Sequence, residues 1–199
     1  MTGAVPGGAD VLRAAAQSRA ALGGAVTRDW HAPVSELDWT IGEVVAHVTG
    51  ATLWYSVDLS ARGADLTNLT ITADPNASPE RQLDALVAAA ALLAAAVDAA
   101  PPDARGFHPM GAADASGFAA MACDEMLVHT WDVCRGVGVP FEPDAQLAAA
   151  VLGRLFPWVE DSGEPWPALL WANGRTEWHG RSRQSSWTWH CAPLVEWQP

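Results

Sequence analysis

Residues 118–133 read Phe-Ala-Ala-Met-Ala-Cys-Asp-Glu-Met-Leu-Val-His-Thr-Trp-Asp-Val, a mostly apolar run that predicts one buried helix. Glu125 and His129 lie four residues apart, so a helix places their side chains one above the other. Asp132 falls on the same stripe, seven residues after Glu125. A carboxylate and an imidazole are costly to bury unless each has a partner. A shared metal ion would be one partner, and a buried Glu–His ion pair is the alternative.

A third ligand is predicted on an earlier helix. Thr40-Ile-Gly-Glu43 has the capping-box form ahead of an apolar run, which predicts a helix over residues 41–62. Steps of about 100° per residue put seven side chains on one face. They are Val44, His47, Val48, Ala51, Trp54, Tyr55 and Asp58. His47 is therefore predicted to lie within a buried stripe and is the candidate third ligand.

Helical periodicity and caps predict further helices, and the last part of the chain differs from them. The helices are expected over residues 10–27, 79–99, 117–135 and 144–155, with a crossover loop over residues 63–77. Seven of the eleven tryptophans lie beyond residue 156, where Asn173-Gly174 predicts a hairpin and residues 186–190 a short strand. The expected fold is mainly all-α. It is a four-helix bundle with one long crossover over residues 1–156, followed by a short β-containing extension, residues 157–199, that packs on or caps the bundle.

Three ligands, His47, Glu125 and His129, would leave positions free for water or a substrate, as in a catalytic metal site. Two imidazoles and one carboxylate suit Zn(II) best, and also Ni(II) or Fe(II). Asp132 has two open roles: it could orient a ligand imidazole or act as a base beside the metal.

Composition excludes several classes of partner. The net charge is −12, which would repel a phosphate backbone, so nucleic acid is not expected. The three cysteines form no CxxC pair, and the start of the chain lacks the features of a signal peptide. The apolar run over residues 85–100 is short for a membrane span. We therefore expect a cytoplasmic protein with a small-molecule substrate and no membrane partner, with a homodimer left open.

Two motifs carry a resemblance to a known family. Asp38-Trp-Thr-Ile-Gly-Glu-Val-Val-Ala-His-Val48 and Ala122-Cys-Asp-Glu-Met-Leu-Val-His-Thr-Trp-Asp132 resemble the DinB-like superfamily, closest to the mycothiol-dependent maleylpyruvate isomerase N-terminal domain group. The likeness covers roughly residues 10–155. It implies a four-helix bundle that binds a divalent metal through His47, Glu125 and His129, with mycothiol as cosubstrate. The isomerase has a longer C-terminal domain, whereas residues 157–199 resemble the tail of short relatives.

Other chemically able side chains each have two interpretations. Tyr55 could reach a substrate as a catalytic group or belong to the core, and His108 could line the site or the surface. Cys191 could act as a nucleophile or pack in the core, whereas Cys123 and Cys134 are predicted core residues. Three arginines in the tail could receive an anionic substrate group or be solvated, and the tryptophans could close a substrate pocket or pack on the bundle. The arginines are Arg175, Arg181 and Arg183.

Three functions are compatible with these residues. The first is a metal-dependent thiol transferase or isomerase that acts on a small electrophile. The second is a metal-containing protein that sequesters a small apolar ligand without turnover. The third is a metal-dependent hydrolase, cyclase or dehydratase in which metal-activated water replaces the thiol, with Asp132 or Tyr55 as proton donor or acceptor.

Overall fold

The computed structural model describes residues 5–64, 66, 68–159 and 163–198. Its described part contains six α-helices and one short 3₁₀ turn, Leu194–Glu196. The helices are α1 Gly8–Gly23, α2 Ile41–Ala61, α3 Pro79–Ala99, α4 Ala115–Val137, α5 Ala145–Leu155 and α6 Pro165–Ala172. The five helices predicted from the sequence are all present, and the mainly helical fold is confirmed.

Side-chain caps fix the beginnings of the two helices that matter most. At α2, the hydroxyl of Thr40 accepts from the Glu43 N–H at 3.2 Å, and the Glu43 carboxylate accepts from the Thr40 N–H at 2.7 Å. At α4, the Asp114 carboxylate accepts from the Gly117 N–H at 2.8 Å. These bonds satisfy backbone donors that a helix start leaves unpaired, so they set the register of the ligands downstream.

Four helices form the bundle. α1 packs against α3 and α4, and α2 packs against the same two helices, so α1 and α2 lie diagonally across the bundle. The core between them contains Val11, Val48, Leu86, Leu93, Phe118 and Met126. The contact between α2 and α4 brings His47 toward Glu125 and His129.

By length and composition, α3 is the one described helix that could cross a membrane. Its buried side chains nevertheless recur every three to four residues, as expected for one face of a core helix. They are Gln82, Leu83, Leu86, Ala89, Ala90, Leu93, Ala94 and Val97. This pattern fits a helix packed in the bundle.

The hairpin predicted around Asn173-Gly174 is wrong. Residues Pro165–Ala172 form α6, and Gly174 follows it with φ of +65°. The Gly174 N–H donates to the Trp171 carbonyl and the Arg175 N–H to the Leu170 carbonyl, which together make a Schellman motif. Asn-Gly therefore ends a helix here. Pro165 favours a helix start, and the apolar run that follows is buried in the core.

The predicted strand over residues 186–190 is also absent. Within the described residues the structure has only isolated bridges, such as Trp178 with Arg181, and no strand. Among its described residues, the extension contains α6 and the 3₁₀ turn Leu194–Glu196, and the rest is irregular.

Two buried polar clusters tie the extension to α4. Arg154, whose side chain is 1% exposed, donates to Asp114, to the Ser116 hydroxyl, and to the carbonyls of His190 and Cys191. A Cβ on Gly117 would lie 2.2 Å from the Cys191 carbonyl oxygen, so only glycine admits this close approach.

The second cluster surrounds Asp124, which is buried next to the candidate ligand Glu125. Its carboxylate accepts from the Asn173 amide at 2.9 Å and from the Trp189 indole at 3.0 Å. Trp166, Trp178 and Trp189 are buried in the same apolar cluster as the bundle residues. The extension thus packs on the bundle, while a domain boundary at residue 156 stays a prediction.

Candidate metal centre

The three sequence-predicted ligands converge. The Nε2 atoms of His47 and His129 lie 3.4 Å and 3.2 Å from the same Glu125 oxygen, Oε2. One ligand atom from each residue falls within 4.8 Å of the other two. The structure therefore brings together side chains that are 78 to 82 positions apart in sequence (125 − 47 and 129 − 47).

These distances fit a shared metal ion. Two donor atoms that bind one Zn(II) tetrahedrally at about 2.0–2.1 Å lie roughly 3.3 Å apart. Both observed Glu125–histidine separations are close to that value. The donor types also match, because two neutral imidazoles and one carboxylate form a typical catalytic zinc set. Two of the three donor pairs therefore already have the spacing that a shared divalent cation requires.

The electrostatics of the cluster favour a positive charge beside Glu125. Burial raises the pKa of Glu125, but hydrogen bonds from His129 and His47 outweigh it and hold the pKa well below its usual range. Burial lowers the pKa of His129, yet its hydrogen bonds to Asp132 and Glu125 raise the net value to about 9. An imidazolium thus supplies the positive charge that the Glu125 carboxylate requires, and a metal could take its place.

Asp132, itself bound by Arg175, holds His129 through the Nδ1 atom of its imidazole. Nδ1 of His129 lies 3.1 Å from Oδ2 of Asp132, close enough to donate a hydrogen bond. Arg175 donates to both oxygens of Asp132, at 3.0 Å from Nε and 2.9 Å from Nη2, and its Nη1 donates to the Asn173 carbonyl. The pKa of Asp132 is raised by burial and lowered more strongly by His129 and Arg175, with a net decrease. This chain of contacts turns Nε2 of His129 toward Glu125.

The partnership of Arg175 with Asp132 was not predicted. Sequence placed Arg175 in a basic cluster on the tail, and 43 residues separate it from Asp132. The sequence indicated only that a carboxylate on a buried helix face needs a cationic partner. The other two arginines of that cluster lie elsewhere: Arg183 pairs with Glu36, and Arg181 stacks over Trp171 and Trp178.

His47 differs from the prediction in its environment. It was expected within a buried stripe, but its side chain is 39% exposed. The reason is that residues 71–75 of the crossover stand away from this face and leave a cavity of about 490 Å³ over it. The Trp39 ring covers part of the imidazole, with centroids 4.8 Å apart.

We name this space the His47 cavity. Its lining comprises Trp39, Glu43, Ala46, His47, Gly50, Ala51, Trp54, Ile71, Thr72, Ala73 and Pro75. The side chain of His47 therefore joins the candidate metal site to a space large enough for a small molecule.

Tyr55 follows Trp54 in α2 and lies close to the candidate ligand Glu125. The residue is 5% exposed, and its hydroxyl is 3.5 Å from Oε1 of Glu125. Burial and the charge of Glu125 raise the pKa of Tyr55 well above its usual value, so the hydroxyl stays protonated and can donate to that carboxylate. His108 packs on the Tyr55 ring, and burial lowers the pKa of its imidazole.

Tyr55 and His108 also line a second space, of about 410 Å³, which we name the Tyr55 cavity. Its lining comprises Trp54, Tyr55, Asp58, Leu66, Leu69, Phe107, His108 and Pro109. Trp54 belongs to the walls of both cavities.

The cysteines do not form a reactive site. Cys123, Cys134 and Cys191 are buried and unbridged, and burial raises the pKa of each thiol. Cys191 donates to the Gly111 carbonyl at 3.5 Å. A thiolate nucleophile from this chain is therefore disfavoured at neutral pH.

Comparison with known proteins supplies the family. The model of the mycothiol maleylpyruvate isomerase N-terminal domain matches residues 11–134. No curated protein and no solved structure matches the chain significantly. The matched segment spans more than half of the chain and contains His47, Glu125 and His129. The chain therefore belongs to the mycothiol maleylpyruvate isomerase N-terminal domain family.

Proposed function

We propose that this protein is a metal-dependent enzyme of the thiol-transferase or isomerase type. His47, Glu125 and His129 would hold a divalent ion, and a small thiol such as mycothiol would attack a small electrophilic substrate. The observation that carries the proposal is the convergence of the three ligand atoms at a point where His47 lines a cavity. Family membership supports the choice of thiol.

The metal has one chemical task in this proposal. A bound divalent cation lowers the pKa of a coordinated thiol, so that a nucleophile is available at neutral pH. Zinc suits the two histidines and one glutamate best, with nickel and iron as alternatives.

The protein's own groups position and protect this chemistry. Asp132 is engaged by Arg175 and His129, which favours an orienting role over that of a free base. Tyr55 keeps its proton and orients Glu125 through Oε1, leaving Oε2 toward the histidines. Neither residue then needs to change protonation state during the reaction.

Two cavities favour a reaction between two molecules. The thiol sulfur would form one bond to an electrophilic carbon of the substrate, and the thiol proton would pass to solvent. The electron pair of the substrate bond that is attacked would move to a leaving group in a transfer, or to a conjugated oxygen in a reversible addition. One cavity could hold the thiol and the other the electrophile, whereas hydrolysis by water needs only one organic ligand.

Cobalt substitution tests the proposal. Purified protein is loaded with Co(II), and its visible spectrum is followed while mycothiol is added. We expect one metal per chain and a strong new sulfur-to-cobalt absorption with thiol. His47→Ala should lose both, whereas His31→Ala, which removes an exposed histidine from a loop, should change neither.

The outcomes separate the candidate functions. Metal binding without any spectral response to thiols would contradict the hypothesis of a thiol cosubstrate and favour a reaction with metal-activated water. Absence of stoichiometric metal in wild-type protein would overturn the metal centre and leave a buried Glu–His ion pair. Thiol binding without turnover of any electrophile would favour a binding protein.

A further inference from the structure

We infer that the Tyr55 cavity is the electrophile subsite and that it accepts an uncharged, aromatic-sized molecule while rejecting carboxylates. Maleylpyruvate, named in the description of the family, is a dicarboxylic acid, so the inferred substrate belongs to a different chemical class. The role as electrophile subsite rests on the proposed function, whereas the binding preference rests on the cavity alone.

Apolar side chains form most of the wall. Trp54, Leu66, Leu69, Phe107 and Pro109 all line the space. Two of them are unusually open to solvent for their type, since Leu69 is 41% exposed and Phe107 is 55% exposed. A ligand seated between them would cover this apolar surface, which is a favourable source of binding energy.

The charges around the cavity oppose an anion. Asp58 contributes a carboxylate to the wall, and none of the described lining residues is an arginine. The chain contains no lysine, and its net charge is −12. Among the described lining residues His108 is the one basic group, and burial lowers the pKa of its imidazole, which disfavours the charged form. A carboxylate placed here would meet one like charge and no compensating cation.

Size and position narrow the ligand further. A dry protein cavity of about 150 Å³ accommodates benzene. The Tyr55 cavity, at about 410 Å³, has room for a two-ring aromatic compound. Its wall includes Tyr55, whose hydroxyl lies 3.5 Å from Oε1 of Glu125, so a molecule bound here would be one side chain away from that candidate ligand.

The test compares two ligands of nearly the same shape, one neutral and one anionic. Binding of 2-naphthamide and 2-naphthoate to the full chain is measured by isothermal calorimetry and ligand-detected NMR. We expect 2-naphthamide to bind at least about tenfold more tightly, because only the naphthoate carries the repelled charge. Asp58→Asn should narrow this ratio by strengthening naphthoate binding.

A matched control removes the same charge elsewhere. Glu80→Gln alters an exposed carboxylate in the first turn of α3, which does not line the Tyr55 cavity. It should leave the ratio between the probes unchanged. Phe107→Asp, at an exposed rim position, should abolish naphthamide binding without unfolding the protein.

Three results would overturn the inference: tighter binding of naphthoate, binding of neither probe, or naphthamide binding that survives Phe107→Asp. The same titrations in His47→Ala separate this inference from the proposed function. If naphthamide still binds to that variant while metal is lost, the cavity preference holds independently of the metal. If the cobalt experiment fails in wild-type protein but naphthamide binds, only the catalytic role of the subsite is lost.

Discussion

The two halves of the candidate metal centre are supported very differently. On α4, Glu125 and His129 have side chains that are 11% and 12% exposed, and Asp132 and Arg175 hold His129 in place. On α2, the His47 side chain is 39% exposed and borders a large cavity, with the Trp39 ring against it. The α4 half is preorganised, whereas the α2 half has room to adjust when a ligand or metal binds.

The two halves of the candidate centre are therefore expected to have different roles. The buried half sets charge and geometry through polar contacts that water cannot easily replace. The exposed half faces the space where substrates would enter. Substituting residues that support the α4 ligands should therefore lower metal affinity and the free energy of unfolding more than substituting residues that contact His47.

The largest effect is expected at Arg175. Arg175→Met keeps the apolar stem but leaves the Asp132 carboxylate, 5% exposed, with His129 as its remaining partner. Loss of such an orienting contact typically weakens metal binding about 10- to 100-fold. Competition with a coloured chelator gives the dissociation constant. Arg135→Met, which removes an exposed arginine paired with Glu36, is the control and should bind metal normally. Equal metal affinities of the two variants would show that Asp132 orients His129 without Arg175.

A smaller effect is expected from pH in the metal-free protein. The pKa of His129 is raised to about 9 in the folded state, above its ordinary value. Its stabilising contribution is therefore complete below about pH 6.5 and is lost as pH rises through about 9. Burial raises the pKa of Asp124 to about 7. Its ionisation therefore lowers the free energy of unfolding mainly as pH rises from about 4 to about 7, below the range tested for His129.

Urea unfolding in the presence of a chelator measures this dependence. Between about pH 7 and about pH 8.5, wild-type protein should lose roughly 2 kcal/mol of unfolding free energy from His129. His129→Gln should lack this part of the slope, whereas His47→Gln should retain it. A slope that is the same in all three proteins would contradict the contrast between the two halves. Bound metal should flatten the wild-type slope, because it replaces the proton on Nε2.

Local sequence signals predicted the bundle, and they named the three side chains that the fold brings together. The capping box at Thr40 and the cap at Asp114 depend on residues three positions apart, so the sequence shows them directly. The Glu125–His129 spacing follows from helical geometry alone. Such features need no knowledge of the tertiary fold.

Features set by distant contacts were missed or misassigned. Asn173-Gly174 suits both a hairpin turn and a helix C-terminus, and the buried face of α6 decides between them. Exposure of His47 depends on where residues 71–75 run, and periodicity cannot show this. The link from Arg175 to Asp132 joins the tail to α4 across 43 residues. Each of these outcomes is decided by packing between elements.

The smallest effect should come from Trp39, which contacts the α2 half. Its ring lies 4.8 Å from the His47 ring and 6.3 Å from that of His129, so Trp39→Leu removes a stacking contact but no hydrogen bond to the ligands. An aromatic contact of this kind contributes about 0.5–1.5 kcal/mol, so metal affinity should fall only about two- to tenfold. Trp158→Leu is a matched control, since Trp158 is also 39% exposed but packs on Phe156 and Trp197, away from the ligands. A loss with Trp39→Leu as large as that with Arg175→Met would mean that the α2 half is as strictly positioned as the α4 half. The open cavity beside His47 argues against that, because a ring bordered by empty space can turn about its own side-chain bonds at little cost.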